Sequence, residues 1–174
     1  MVEARPEVTL QMMRTRHGLV VLLGIVLAAA IFAGAGQGVP GRTACGVTLP
    51  NGKHPPGTPA GPYWYGNGKL FTALWPYGVI LADPRFVNPD GSISMKFPWW
   101  GIRVPPKVLR IRGQRLDGPS PPLRASVRWG QPDGFRGSFW ASGLTFPRAG
   151  CWRVTGRVGN VRLTFVTLVR KVPG

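Results

Sequence analysis

An all-β, antiparallel sandwich is the fold this sequence predicts for most of its 174 residues. Three observations predict it. Past residue 68, short apolar runs alternate with polar residues at a period of two, as in a strand with one face buried. Clusters of Gly, Pro, Asn and Asp separate those runs at close, fairly regular spacing. After the N-terminal apolar run, no window carries a helical period. The result is about eight short strands, the pattern of a sandwich more than of a barrel.

The chain opens differently. Residues 1–17 are polar and carry Arg5, Arg14 and Arg16. The uncharged run GLVVLLGIVLAAAIFAGAG follows at residues 18–36. A basic segment, an apolar run and a small-residue exit at Ala33-Gly34-Ala35 fit an export signal. The run also approaches the ~20 apolar residues of a spanning helix, so a signal h-region and a transmembrane anchor both stay open. In either case one hydrophobic helix is expected, with its arginine-bearing leader in the cytoplasm and the remainder exported. A lipoprotein fits less well, because Arg42 stands where a lipobox wants an aliphatic residue before Cys45.

Residues 37–68 are dense in Gly and Pro (QGVPGRTACGVTLPNGKHPPGTPAGPYWYGNG), and read as an extended stalk or irregular arm ahead of a sandwich at 69–174. Within the sandwich, KLFTALW (69–75) and VILAD (79–83) flank Pro76-Tyr77-Gly78 and read as a hairpin. The turn Asn88-Pro89-Asp90-Gly91 opens SISMKF, where Ile93, Met95 and Phe97 alternate with Ser92, Ser94 and Lys96. KVLRIRGQRL sets Leu109 and Ile111 against Arg110 and Arg112, and PLRASVRWG sets Leu123, Ala125 and Val127 against Arg124, Ser126 and Arg128. SFWASGLTF, CWRVTGRV and VRLTFVTLV complete the series, with Gly159-Asn160 as the last turn. Trp152 and Val154 share one face of their strand, and Cys151 and Arg153 the other. Leu163, Phe165 and Val169 are expected in the core. The prolines sit at strand ends or connections, where no ladder donor is lost.

Gly150-Cys151-Trp152, preceded by Phe146-Pro147, looks like the start of the penultimate strand in many immunoglobulin-like bacterial domains. A broader likeness covers nearly all of the exported part. GNGKLFTALWPYGVI, DGSISMKFPWWGIR, LRIRGQRLDGPSPPLRAS and LTFPRAGCWRVTGRVGNVRLTFVTLV resemble an uncharacterised family of exported bacterial proteins and lipoproteins with GNG, KFxWW, GxRLD and GCWxVTG blocks. The likeness implies an exported, immunoglobulin-like β-sandwich and gives no mechanism. Its members often carry an acidic residue after the tryptophan, where this chain has Arg153, so no acidic site is carried over.

The residue inventory narrows the chemistry. Two cysteines in an exported chain are expected to form a disulfide, Cys45–Cys151, that ties the arm to the sandwich. In the chain-entropy model closing so long a loop contributes roughly 4–5 kcal/mol, although measured values often fall short. The alternative is two unpaired thiols. His54 is the one histidine past the apolar run, too few for a four-ligand zinc set and the only residue that could serve as a catalytic thiol's base. Asp90, Asp117 and Asp133 each precede a glycine, which turn chemistry explains. No phosphate-binding glycine loop lies between a strand and a helix. The expectation is a non-enzyme without cofactor or metal.

Two features remain. The net charge is +16, and past the apolar run the acidic residues are Asp83, Asp90, Asp117 and Asp133. Such a surface attracts anions, or simply keeps the chain soluble. Should the strands bearing Arg110/Arg112 and Arg124/Arg128 be neighbours, their arginines merge into a basic ladder edged by Arg103, Lys107 and Arg115. That ladder is the candidate polyanion site, weighed against a solvated face that discourages edge pairing. Trp99 and Trp100 point to opposite faces, so one is expected in the core and the other exposed beside Arg103 and Asn67, able to stack on a sugar ring. The leading expectation is an envelope protein contacting an anionic polymer or a protein partner, with the membrane reached through residues 18–36 if they are retained. The alternative is a carbohydrate-binding module using the tryptophans. A third reading, a hydrolase built on His54, has the fewest supporting residues.

Overall fold

The structure, a computed structural model, describes residues 44–104, 108–130 and 134–173. The leader and the apolar run at 18–36 lie outside them, as do Lys107 and Asp133. Among the described residues no helix is long and apolar enough to cross a membrane.

In chain order the strands are β1 (Trp64–Gly66), β2 (Leu70–Ala73), β3 (Val79–Ala82), β4 (Ile93–Lys96), β5 (Trp99–Gly101), β6 (Arg110–Arg115), β7 (Arg124–Gly130), β8 (Ser138–Phe146), β9 (Gly150–Val158) and β10 (Val161–Lys171). The fold is all-β, as the alternation predicts, and the strands form two sheets. The larger runs β1-β2-β5-β8, with β4 beside the second half of β8 and β7 along its other edge. The smaller runs β3-β10-β9-β6. β4 and β5 lie end to end against β8. Phe97 continues the ladder by donating to the Ser142 carbonyl, and Pro98 falls at the break.

The two inner faces interlock through aromatic rings. Phe97 stacks on Phe165 with centroids 5.7 Å apart, Trp99 lies 6.1 Å from Phe165, and Phe146 meets Trp152 edge-on at 5.6 Å. Gly156 makes room for Trp99, since a Cβ there would come within 2.5 Å of the indole. Ile93, Met95 and Phe97 are all buried, as are Trp152, Val154, Leu163, Phe165 and Val169. These are the positions that the period of two assigns to the core.

Two local expectations are corrected. The residues around Pro76-Tyr77-Gly78 do not form a hairpin, because β2 belongs to the larger sheet and β3 to the smaller. Pro76 starts a single tight turn, and Tyr77 (φ 55°) and Gly78 (φ 68°) then swing the chain across the edge. The Gly78 carbonyl accepts from Thr167 Oγ1 at 2.9 Å, which sets β3 beside β10. That pair is parallel, with Val79 opposite Leu168, so the sheets are not wholly antiparallel.

The arm from residue 44 onward is packed against the sandwich, and β1 begins inside it. Cys45 and Cys151 form the expected disulfide, with Cα atoms 5.5 Å apart and a sequence separation of 106. Beyond that link the arm supplies partners to the first half of β10, where β3 does not reach. Thr48 N–H donates to the Val166 carbonyl at 2.8 Å, and Val166 N–H donates to Thr48 Oγ1 at 2.9 Å. Tyr65 Oη donates to the Thr164 carbonyl at 3.1 Å, and Asn67 Nδ2 to the Arg162 carbonyl at 2.8 Å. Three alternate carbonyls of β10 are thereby satisfied, which removes an exposed edge.

Candidate functional site

The outer face of the smaller sheet gathers arginines from three strands. Leu109 just ahead of β6 and Ile111 and Gly113 within it turn inward, which leaves Arg110 and Arg112 outward. On β9, the inward run Trp152, Val154, Gly156 and Val158 leaves Arg153, Thr155 and Arg157 outward. On β10, burial of Leu163 and Phe165 puts Arg162 and Thr164 on the same outer face. Strand register then aligns them. Arg110 is directly opposite Arg157, and Arg157 is opposite Arg162. The next row is Arg112, Thr155 and Thr164, the two hydroxyls 2.9 Å apart, and the third is Gln114, Arg153 and Val166.

With strands about 4.8 Å apart, the first row places three guanidinium-bearing positions across about 10 Å. The surface between them is an open, shallow groove of about 1140 Å³. Its far wall is the connection that leaves β6, where Pro122 and Leu123 fold back over Gly113. Leu123 N–H donates to the Gly113 carbonyl at 3.2 Å, and a Cβ on Gly113 would lie 2.8 Å from Leu123. Among the described residues, none of Arg110, Arg112, Arg153, Arg157 and Arg162 pairs with a carboxylate. Arg157 is oriented by its own turn, its Nε donating to the Gly159 carbonyl at 2.7 Å. Like charges held directly opposite one another destabilise a sheet, and arginine cannot shed its proton to relieve them.

The ladder expected from sequence is divided. Arg110 and Arg112 lie in this face, but β6 pairs with β9 and β7 pairs with β8, so Arg124 and Arg128 sit on the outside of the other sheet. Arg124 lies 3.6 Å from Asp90 there. Arg103 is exposed in the loop after β5 with φ 51°. Arg115 belongs to the inward set of β6 and donates to Asp117 at 2.7 Å. Lys107 lies outside the described residues. Arg153, Arg157 and Arg162 were absent from the expected ladder; their outward alternation was readable, but not the adjacency of β6, β9 and β10.

The tryptophan pair also separates. Trp99 is fully buried among core rings and is removed from any glycan surface. Trp100 is half-buried on the outer face of the larger sheet, with its ring 4.7 Å from Trp64 and 5.3 Å from Phe139. Asn67, expected beside it, instead spends its amide on β10 and on the turn into β2.

Among the described residues no three His, Cys, Asp or Glu side chains come together. His54 lies in the arm, its Nδ1 3.2 Å from the Pro55 carbonyl and 3.4 Å from Thr58 Oγ1. Asp90 accepts from the Ser92 hydroxyl and backbone N–H, the turn role its sequence context implies, and those bonds lower its pKa. Partial burial pushes the Asp117 carboxyl up. Hydrogen bonds from Arg115 and from the Cys151 backbone outweigh that and hold it below its ordinary value of 3.8. No protein-family model matches the chain, and no curated protein matches its sequence.

Proposed function

We propose that this chain is an exported cell-envelope protein, anchored by residues 18–36 or released, whose sandwich binds an anionic polymer through its arginine face and performs no catalysis. The observation that carries this reading is the row Arg110–Arg157–Arg162, in register on three strands and without carboxylate partners among the described residues. Such a row is unfavourable alone and favourable against a chain of negative charges, which replaces mutual repulsion with several charge-assisted contacts. The groove is open at the surface, suiting an extended polymer more than an enclosed small molecule. The apolar run and its basic leader support export, and the disulfide accords with an oxidising compartment. The two packed sheets and the Gly150-Cys151-Trp152 start of β9 support an immunoglobulin-like arrangement, in line with the exported family that the chain resembles.

Polyphosphate binding measured against salt tests the proposal. Binding is expected to weaken with a log–log slope of about −3 to −4 for five arginines, using the single-strand value. Replacing Arg110, Arg157 and Arg162 by Ala is expected to reduce the slope by about 2. Salt-independent binding, or a slope unmoved by the triple substitution, would refute the arginine face as the site.

A further inference from the structure

The outer face of the larger sheet carries a second, differently built surface. Its outward residues form rows across β8 and its two flanks: Lys96 of β4, Gly143 and Ser126 of β7 in one, Trp100 of β5, Phe139 and Gly130 of β7 in another. By continuation of the register Pro98 and Ala141 lie level with Arg128 between those two rows. The middle strand therefore presents the smallest side chains, Gly143 and Ala141, and its neighbours the taller ones. The outcome is a trough of about 490 Å³ running along β8. Gly143 is needed for its depth, because a Cβ there would press within 3.0 Å of Ser126 Oγ.

One end of the trough is closed by Phe139, braced on one side by Trp100 at 5.3 Å. On the other side it meets Gly130, where even a Cβ would lie 3.2 Å from the ring, so no side chain covers Phe139 there. Lys96 and Arg128 stand on opposite walls, and neither pairs with a carboxylate among the described residues. Among the described residues the ion pair on this face is Arg124 with Asp90, a row further along.

An apolar floor of Pro98, Ala141 and Phe139 between two cations matches a ligand with a C–H-rich ring face and an anionic substituent at its rim. A phosphate chain offers the charge without the ring face. We infer that this trough binds a carboxylated sugar, within a short acidic oligosaccharide lying along β8. The volume falls in the usual range of ligand clefts, about 300–1,000 Å³. The inference does not depend on the arginine face, which lies on the other sheet. It also moves the saccharide reading from the Trp99/Trp100 pair to Phe139, Lys96 and Arg128, with Trp100 as a brace.

Titration calorimetry of the full chain with tetragalacturonate, and with neutral maltotetraose as comparison, tests it. Tetragalacturonate is expected to bind and maltotetraose to bind at least about tenfold more weakly, since hydrogen bonds to charged groups are the stronger ones. Ala141→Phe, which fills the trough from an exposed position, is expected to abolish binding. The Lys96→Ala/Arg128→Ala double substitution is expected to weaken it about tenfold or more. All of these measurements are made in the Arg110→Ala/Arg157→Ala/Arg162→Ala background, so that tetragalacturonate held by the arginine face does not enter them. No binding at millimolar tetragalacturonate, equal binding of the neutral sugar, or binding that survives Ala141→Phe would each overturn the inference. Polyphosphate binding is expected to be indifferent to Ala141→Phe, so failure here and failure of the arginine face are read separately.

Discussion

The two halves of β10 and β9's outer surroundings are treated in opposite ways by the same chain. Along the free side of β10, the arm satisfies the carbonyls of Arg162, Thr164 and Val166, and a disulfide holds the arm in place. Across the outer face of β6, β9 and β10, five arginines stand in solvent with no acid to meet them among the described residues. One region is finished from within, by hydrogen bonds whose partners are all in the chain. The other is left in a state that an external polyanion would improve. The difference teaches how to separate structural residues from functional ones here. Substitutions on the arm side should lower stability and spare binding, whereas substitutions on the arginine face should do the reverse.

The largest effect is expected from the disulfide. Replacing Cys45 and Cys151 by Ser frees a loop of 106 residues. Urea unfolding should show a loss of up to about 4–5 kcal/mol, with polyphosphate affinity unchanged for whatever fraction remains folded. A loss of affinity in the folded fraction would break the division between the two regions. A smaller effect follows at Asn67, whose side chain donates to the Arg162 carbonyl and accepts from the N–H groups of Lys69 and Leu70. Asn67→Ala is expected to destabilise by about 1–2 kcal/mol in the same assay, again without altering binding.

The smallest effect concerns pH. The Asp117 carboxyl is held below its ordinary value by Arg115 and the Cys151 N–H, against partial burial. A lowered folded-state pKa means that the unfolded chain takes up the proton first. Its stabilisation is therefore complete above the ordinary value of 3.8 and is lost as pH falls through the folded-state pKa. Asp83 and Asp90 are lowered as well and share this acid limb. Asp117→Asn should make the acid limb of a stability profile shallower while leaving its neutral region level. A limb identical to that of the unsubstituted protein would show that Asp117 contributes nothing to it.

Much of the architecture was legible because it is local. The alternation Ile93, Met95, Phe97 and the alternation Val154, Gly156, Val158 each declare an inner face, and two cysteines leave one possible pairing. What could not be read depends on contacts between distant residues. Nothing near Pro76 says that the chain changes sheets instead of forming a hairpin; that follows from Gly78 meeting Thr167, far along the sequence. The Gly/Pro-rich arm has no periodicity, yet Thr48, Tyr65 and Asn67 find β10 through single hydrogen bonds. Arg157 and Arg162 alternate with apolar neighbours on the last two strands, so their outward direction is legible. Their alignment with Arg110 rests on the β6–β9 register, which no local pattern encodes. The trough is similar: ASG in β8 is unremarkable until β4 and β7 set Lys96 and Arg128 on either side of it.

Urea midpoints of the unsubstituted protein and of Arg157→Thr, each with and without polyphosphate, test the account most directly, because Arg157 is the middle of the three-arginine row. The account predicts that Arg157→Thr is at least as stable as the unsubstituted protein when no polyanion is present, and that polyphosphate raises its midpoint less. A variant that is less stable without polyanion, and equally stabilised by it, would contradict the account, since Arg157 would then belong with the finished region of the molecule.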